Sequence, residues 1–234
     1  MKNSADAIQT DYLQRTRIEL IALLDSIPER ILEIGCGDGA TLAALKQKGA
    51  RWVEGVDIDE NAISIAAQNA LIDKTHHADF EAAPLRMSPS SYDLVIASHV
   101  IEHFVDPWKS LISLIDLVRP SGQLLIAFPN VRNIRVTGPL LLRGEWKYTP
   151  TGSLDWTHLR FFTLSSMKST FQWAGIKITR TGGEYWGRQA KYTSLATLGV
   201  LDEFCAYAYN FLIEKPIDWR PPTHYPFGPQ LCGN

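Results

Sequence analysis

Cysteine is scarce in this sequence, and the three present, at positions 36, 205 and 232, have no Cys-x-x-Cys spacing. That number and spacing argue against a disulfide framework and against a zinc knuckle, and they fit a reducing cytoplasm. An excess of basic residues is missing as well, since 23 Lys and Arg stand against 25 Asp and Glu. Nucleic acid is therefore not expected as a partner.

Long apolar runs are also absent. No stretch approaches the roughly 20 apolar residues that span a bilayer, and the polar residues 1–10 lack the apolar core of a signal peptide. We therefore expect a cytoplasmic protein without a membrane span. The 234 residues, 45% of them hydrophobic, suffice to bury a sizeable core, and the sequence shows no internal repeat.

Short apolar runs rich in strand-forming residues alternate with longer segments of helical spacing between residues 30 and 128. This alternation predicts parallel strands joined by crossover helices. The predicted strands are Arg30–Gly35, Arg51–Asp57, Thr75–Phe80, Tyr92–Ser98 and Gln123–Phe128. Two more are expected at Ile176–Thr181 and Phe211–Glu214.

Local signals mark several helices. A leading helix is predicted over residues 4–26, and another begins with Asp106 as its N-cap and Pro107 in its first position. Thr163 is expected to cap a helix that ends at Gly175. A further helix is predicted over Thr193–Tyr207.

Two segments do not follow this alternation of strands and helices. Residues 129–162 scatter Pro, Gly, Arg and Trp over a stretch too long for an ordinary connection, and we interpret them as a functional insert. The tail from Pro216 is rich in proline, so it is expected either to wrap the surface or to stay disordered.

A glycine-rich motif follows the first predicted strand, with the sequence Glu33-Ile34-Gly35-Cys36-Gly37-Asp38-Gly39. Glycines at such a turn let the backbone approach a ligand at the positive end of a helix, although a tight turn without a ligand is the alternative. The second strand ends about 20 residues further on at Asp57, where a carboxylate can accept both ribose hydroxyls of a nucleoside. Asp59 and Glu60 are better placed to cap the next helix, which leaves Asp57 available.

Asp79 and Phe80 follow the third predicted strand. There they would place a carboxylate and an apolar ring beside a purine. The neighbouring His76, His77 and Glu81 fit an ordinary polar loop equally well, so both interpretations stay open.

Together these motifs resemble class I S-adenosylmethionine (SAM)-dependent methyltransferases over most of the chain. The resemblance implies a Rossmann-like α/β fold with a seven-stranded, mostly parallel sheet, helices on both faces and an antiparallel strand seven between strands five and six. It implies a methyltransferase domain over residues 1–215, with the 129–162 insert on the substrate side, and a Pro-rich tail over 216–234. SAM is the implied cofactor and S-adenosylhomocysteine the product. The implied cofactor-binding residues are Glu33, Gly35, Cys36, Gly37, Gly39, Asp57, Ile58, Asp79, Phe80, Ser98 and His99.

Three downstream segments, Phe128–Arg132, Gly144–Trp146 and Thr157–Thr163, look like bacterial methyltransferases associated with surface-polysaccharide and related sugar modification. This narrower resemblance implies O-methylation of a sugar or another small hydroxylated acceptor. Aromatic residues in and after the insert suit stacking on a sugar ring, or else they form a small core of the insert itself. They are Trp146, Tyr148, Trp156, Phe161, Phe162 and Trp186.

Histidines and a glutamate form a second candidate cluster. The sequence His99-Val100-Ile101-Glu102-His103, with His158, is similar to the Glu-x-x-Glu-His…His metal constellation of ubiquinone-pathway O-methyltransferases and small-RNA 3′-terminal 2′-O-methyltransferases. His99 stands in place of the first Glu, and three imidazoles with one carboxylate suit Zn²⁺ or Fe²⁺ better than Mg²⁺.

Without a metal, His103 or His158 is the candidate general base, because imidazole titrates near neutral pH. Glu102, His103 and His158 are therefore the expected catalytic residues. The alternative is structural: His103 packs beneath the next helix, and His158 holds the insert in place.

Two other functions stay open. Gly35-x-Gly37-x-x-Ala40 formally satisfies the glycine fingerprint of NAD-dependent dehydrogenases, although Glu33 and Gly39 are not explained by that class. A methyltransferase fold that has lost its activity could instead serve as a binding module. The intact glycine loop and both acids argue against such decay.

Overall fold

The computed structural model describes residues 16–82, 88–185, 187–196 and 201–225. The strands are β1 (Arg30–Ile34), β2 (Trp52–Asp57), β3 (Lys74–His77), β4 (Tyr92–Ser98), β5 (Val118–Pro129), β6 (Lys177–Tyr185) and β7 (Ala206–Glu214). The helices are α1 (Ile18–Ile21), α2 (Ala40–Gln47), α3 (Glu60–Gln68), α4 (Pro107–Leu117), α5 (Ile134–Arg143), α6 (Leu164–Trp173), α7 (Gly187–Ala196) and α8 (Asp202–Cys205). A 3-10 turn covers Ile101–His103.

All seven strands form one sheet in the order β3-β2-β1-β4-β5-β7-β6. β1 pairs in parallel with β2 and with β4, whereas β7 runs antiparallel to both β5 and β6. The predicted fold class, including the position and direction of strand seven, is confirmed. The strand order reverses beside β1, and in sheets of this kind such a reversal opens a crevice at the carboxyl ends of the strands.

The core lies on both faces of the sheet. Leu94 and Ile96 of β4 pack with α2 and α3 on one face, whereas Val95 and Ala97 pack with α4 and α6 on the other. Successive residues of a strand point to opposite faces, so a strand covered by helices on both sides is apolar throughout. This explains why β4 appears in the sequence as an almost continuous apolar run.

Two predicted helix starts are confirmed by their capping hydrogen bonds. The carboxylate of Asp106 accepts a hydrogen bond from the backbone N–H of Lys109 at 3.0 Å, and Pro107 occupies the first turn of α4. The hydroxyl of Thr163 accepts from the backbone N–H of Ser166 at 3.1 Å. Each cap satisfies a donor that the first helical turn leaves without a partner.

Other predicted boundaries were wrong. β3 ends at His77 rather than at Phe80, because the Asp79 carboxylate accepts the backbone N–H groups of Glu81 and Ala82 and turns the chain. Residues 206 and 207, predicted as the end of a helix, begin β7, because Ala206 pairs with Tyr185 of β6 and the carbonyl of Tyr207 accepts the N–H of Asn130 at 2.8 Å. In the leading segment the described helix covers only Ile18–Ile21, and residues 1–15 lie outside the described ranges.

The first part of the Pro-rich tail wraps the surface, as one of the two expectations had it. Trp219 donates its indole N–H to the carbonyl of Ala174 at 2.8 Å, and Trp173 donates to the carbonyl of His224 at 2.6 Å. Tyr225 donates its hydroxyl to Asp106, the N-cap of α4, at 3.0 Å. Within the described ranges no helix combines the length and the apolar composition needed to cross a bilayer.

Gly39 joins the loop after β1 to α2 and packs closely against the segment after α3. Its φ is +80°, and a Cβ at this position would lie 2.2 Å from Cδ1 of Ile72. Gly144, after α5, also has a positive φ of +66°, but a Cβ there would meet nothing within 4 Å. A comparison of substitutions at these two glycines therefore separates the effect of backbone strain on stability from the effect of steric overlap.

We expect Gly39→Ala to lower the free energy of unfolding by about 2–4 kcal/mol, since it adds overpacking to the strain of a left-handed residue. Gly144→Ala should lower it by only about 1 kcal/mol, from strain alone. Urea denaturation of both variants measures the difference. In an Ile72→Val background, which removes Cδ1, the loss caused by Gly39→Ala should shrink. Equal losses for the two glycine variants would contradict the packing role of Gly39.

Candidate active site

A cavity of about 540 Å³ opens at the carboxyl ends of β1, β2 and β4, within the usual size range of small-ligand sites. Ten of the eleven expected cofactor-binding residues line it, namely Glu33, Gly35, Cys36, Gly37, Asp57, Ile58, Asp79, Phe80, Ser98 and His99. Gly39, the eleventh, is not part of the lining, and its close contact is with Ile72. The structure therefore shows a packing role for Gly39, and its contact with a ligand stays a prediction.

The turn after β1 lies close to the chain that follows β4. Gly35 has a φ of +71°, and a Cβ on it would lie 2.3 Å from Cγ2 of Val100. The N–H groups of Gly35 and Cys36 both donate to the carbonyl of Val56, at 2.8 and 3.1 Å. Burial raises the pKa of the Cys36 thiol, so that thiol is protonated at neutral pH.

Asp57 connects the loops after β1 and β2. Its Oδ2 accepts the N–H of Gly37 at 2.7 Å, and its Oδ1 accepts the N–H of Asp59 at 2.9 Å. Asp59 caps α3 by accepting from Asn61 and Ala62, as predicted, whereas the role of Asp57 as a ribose ligand stays a prediction. Each Asp57 oxygen retains a lone pair for a ligand hydroxyl.

Glu33 is a buried carboxylate at the cavity wall. It is 3% exposed, and its Oε2 has no hydrogen-bond partner among the described residues. Burial raises the pKa of Glu33 to about 8, and the charge of Arg17 offsets part of that rise. A buried acid of this kind suits a ligand that brings a positive charge and hydrogen-bond donors.

The cavity is acidic as a whole. Asp59, Asp79 and Glu81 line it in addition to Glu33 and Asp57. Glu81 also accepts the backbone N–H groups of residues 105 and 106, which ties the loop after β3 to the loop after β4. So acidic a lining favours a cationic ligand and disfavours the diphosphate of NAD.

Behind one wall of the cavity, Glu102 is almost fully buried at 1% exposure. Its Oε1 lies 3.5 Å from Nδ1 of His99 and 4.0 Å from Nε2 of His158. Burial favours the neutral carboxyl, but His99, together with the other two histidines, outweighs this and holds the pKa of Glu102 below its usual range. Glu102 is therefore a buried anion surrounded by imidazoles.

His103 lines the cavity, whereas Glu102 and His158 do not. Nδ1 of His103 lies 3.2 Å from the carbonyl of Thr157, and its ring meets that of His158 edge-on at 4.8 Å. Nδ1 of His158 lies 3.3 Å from the carbonyl of Ser153. Burial lowers the pKa of His158, and the charge of Glu102 offsets only part of that effect.

The same three residues could hold a cation. Glu102, His103 and His158 each offer one ligand atom, and these atoms lie within 4.8 Å of one another. His99, which stands where the resemblance has a glutamate, contacts Glu102 instead of joining this set.

Backbone hydrogen bonds hold the insert against this cluster. The N–H groups of Leu159 and Arg160 donate to the carbonyl of Glu102 at 2.9 and 3.0 Å. Thr157 thereby reaches the cavity lining. The structure thus brings His158 of the insert to His99, Glu102 and His103, which are close neighbours in the sequence.

The aromatic residues of the insert do not reach the cavity. The rings of Trp146 and Tyr148 lie 5.1 and 6.3 Å from that of Phe161, and Phe162 joins the main core beside Phe128. Trp156 is exposed. Trp186 lies outside the described residues. For the described rings, this arrangement supports a small aromatic cluster rather than a stacking surface in the cavity.

Several cavity-lining residues were not among the predicted site residues, and Arg17, Phe104 and Thr157 are examples. Arg17 precedes α1, Phe104 ends the 3-10 turn, and Thr157 belongs to the insert. Thr157 stands next to His158 in a segment already singled out, so its position was a usable signal. Arg17 and Phe104 carry no local motif, because only the folded chain brings them to the cavity.

A protein-family model described as a methyltransferase domain matches residues 7–181, well over half of the sequence. The chain belongs to this family. The methyltransferase is 26% identical over 161 residues to the ubiquinone biosynthesis O-methyltransferase of Neisseria meningitidis serogroup C (strain 053442), a match that covers 66% of each chain. It thus spans about two thirds of the length of that relative.

Solved structures share the fold. An S-adenosylmethionine-dependent methyltransferase from Mesorhizobium loti superposes with a TM-score of 0.61 at 16% identity, covering 85% of this chain and 96% of that one. Magnesium protoporphyrin IX methyltransferase from Synechocystis PCC 6803, solved with bound SAM, gives 0.54 at 17% identity, covering 90% and 80%. The chain is a SAM-dependent methyltransferase, and the dehydrogenase alternative is wrong.

Glu33 should make the stability of the SAM-free methyltransferase depend on pH. The unfolded chain releases this proton near pH 4.5 and the folded protein only near pH 8, so the free energy of unfolding falls as pH rises between these values. Glu33→Gln should therefore be more stable than the wild type at pH 8, by on the order of 2–4 kcal/mol, and nearly equal to it at about pH 4. Denaturant melts across this range measure the difference, and a stability gap that does not change with pH would refute the raised pKa.

Proposed function

We propose that the enzyme transfers the methyl group of SAM to a hydroxyl of a small acceptor, a sugar or another hydroxylated ring. The observation that carries the proposal is the position of His103, which lines the same cavity as Glu33 and Asp57. One cavity therefore offers groups suited to a cationic nucleoside and, beside them, an imidazole suited to an acceptor proton.

On the cofactor side, the buried carboxylate of Glu33 fits the ammonium of the methionine moiety, since Oε2 has no hydrogen-bond partner among the described residues. Asp57 accepts the ribose hydroxyls with the lone pairs left by its two backbone contacts. Ile58 and Phe80 offer apolar contacts to adenine, and Gly35 and Gly37 let the backbone approach. The remaining members of the proposed set are Cys36, Asp79, Ser98 and His99.

On the acceptor side, SAM supplies an electrophilic methyl group, so the protein must position an oxygen and take up its proton. The carbonyl of Thr157 accepts from Nδ1 of His103, which leaves Nε2 to receive that proton. The charge of Glu102 behind the ring stabilises the imidazolium that results. His158 contacts Ser153 of the insert on one side and Glu102 on the other, and so fixes the position of Glu102 relative to the insert.

A phenolic ring is the second candidate acceptor. Relatives of this chain are named for O-methylation in ubiquinone biosynthesis. A phenol is a stronger acid than a sugar hydroxyl, so a single imidazole is better matched to it. Incubation with methyl-labelled SAM and parallel series of sugars and catechols separates the two, because label enters only the accepted class.

SAM affinity should rise with pH if Glu33 pairs with a cationic group of the cofactor. Below pH 8 the free enzyme holds a proton on Glu33, which must leave when the ion pair forms. We expect affinity to increase by up to about tenfold per pH unit between about pH 6 and pH 8. Isothermal titration calorimetry in buffers of different ionisation enthalpy measures both the affinity and the released proton.

Two variants separate Glu33 from the rest of the cavity. Glu33→Gln should bind SAM more weakly at pH 8 and lose the pH dependence. Asp57→Asn should weaken binding by about 10- to 100-fold at every pH while keeping the slope, because one amide N–H then faces a backbone donor. A wild-type affinity that stays constant across this window speaks against the pairing of Glu33 with SAM.

His103→Gln should lower kcat by about 10²- to 10⁴-fold, the usual contribution of a general base, and leave SAM affinity within roughly twofold. His224→Gln is the matched control, since that exposed histidine lies in the tail, away from the cavity lining. Initial rates of label transfer from SAM to the acceptor measure kcat, and calorimetry measures the SAM affinity.

The same assay tests the alternative role of the cluster. If chelation abolishes wild-type turnover and Zn²⁺ restores it, Glu102, His103 and His158 act as metal ligands and the general-base assignment fails. An unchanged kcat in His103→Gln would also refute it.

A further inference from the structure

Helix α5 presents apolar side chains to solvent. Leu141 and Leu142 are 80% and 86% exposed, and Ile134, two turns earlier on the same side, is also exposed. Val136 on the opposite side is buried. Contiguous exposed leucines on a helix of a globular protein mark an interaction surface more often than chance.

Partly or largely exposed rings follow the helix along the chain. Trp146 and Tyr148 follow α5 and contact Phe161, and the backbone N–H of Trp156 donates to the carbonyl of Thr149 at 3.1 Å. Trp156 is itself 70% exposed. Tryptophan and tyrosine combine an apolar ring with a polar N–H or O–H, which suits the boundary between water and hydrocarbon.

The charge of this segment differs from that of the whole chain. Residues 134–160 contain four Lys and Arg against two Asp and Glu, although acidic residues outnumber basic ones over the full sequence. Arg143 and Lys147 flank the leucines and the rings, and both are exposed, with Nε of Arg143 lying 3.0 Å from Oε1 of Glu145. A basic segment on an otherwise acidic protein is attracted to an anionic surface.

We propose that α5 and the loop over residues 144–160 dock on an anionic lipid bilayer. Leu141, Leu142 and Trp156 enter the boundary between headgroups and acyl chains, while Arg143 and Lys147 contact the lipid phosphates. The exposed lysine beside the apolar stripe matches a lipid surface better than a protein interface, whose core is depleted of lysine.

Docking would bring the cavity near the bilayer. Trp156 is followed directly by Thr157, which lines the cavity, so the same loop serves both surfaces. The inference is independent of the identity of the methyl acceptor, because it concerns side chains outside the cavity.

Cosedimentation with vesicles tests the proposal on the full chain. We expect binding to vesicles of equal parts phosphatidylcholine and phosphatidylglycerol, and much weaker binding to phosphatidylcholine alone. Raising NaCl to about 0.5 M should weaken binding to the anionic vesicles, because salt screens the attraction. Leu141→Ser combined with Leu142→Ser should lower the partition coefficient by about tenfold or more.

Ile217→Ser is the matched control, since Ile217 is 79% exposed but lies in the tail. It should bind vesicles like the wild type, and both variants should keep wild-type SAM affinity as evidence of a native fold. Failure of the wild type to bind anionic vesicles at low salt overturns the proposal, as does an equal loss in Ile217→Ser. A dimer seen by light scattering that the double leucine variant dissociates also overturns it, because α5 would then contact a second copy.

Discussion

The parallel pairing of β1 with β2 on one side and with β4 on the other is the constraint on which the rest of the structure depends. The chain leaves β1 towards α2 on one face of the sheet, and leaves β4 towards α4 on the opposite face. Loops that leave neighbouring strands in opposite directions cannot fill the space between them, which is why the cavity lies there. Gly35 and Val100 both line this cavity and lie so close together that a Cβ on Gly35 would be 2.3 Å from Cγ2 of Val100.

Elements with strong local signals were predictable from the sequence. Asp106 with Pro107, and Thr163 with its apolar spacing, mark helix starts through contacts that span three residues. The start of β7 was not predictable in this way. Residues 206–210 become a strand because β5 and β6 lie on both sides of them, and those partners are distant in sequence. Pairing of this kind outweighs the weak helical preference of the segment.

The residues of the candidate site also fall into those that a local motif predicts and those that it does not. Glu33, Gly35, Gly37 and Asp57 belong to short motifs at strand ends, and they meet because the carboxyl ends of parallel strands share one edge of the sheet. Gly39 belongs to the same motif but packs against Ile72 after α3 and does not line the cavity, a distinction that the motif does not encode. The rings of the insert were expected beside a ligand, yet they contact one another, since the insert docks through its backbone on Glu102.

The position of β7 has a consequence for the synthesis of the enzyme. β7 is the last strand along the chain, yet it lies between β5 and β6, and among the described strands β6 pairs only with β7. On the ribosome, β6 therefore emerges as a strand with both edges open until residues 206–214 follow. Open edges of this kind pair readily with other chains. The nascent polypeptide therefore exposes more unpaired strand edge than the finished enzyme does.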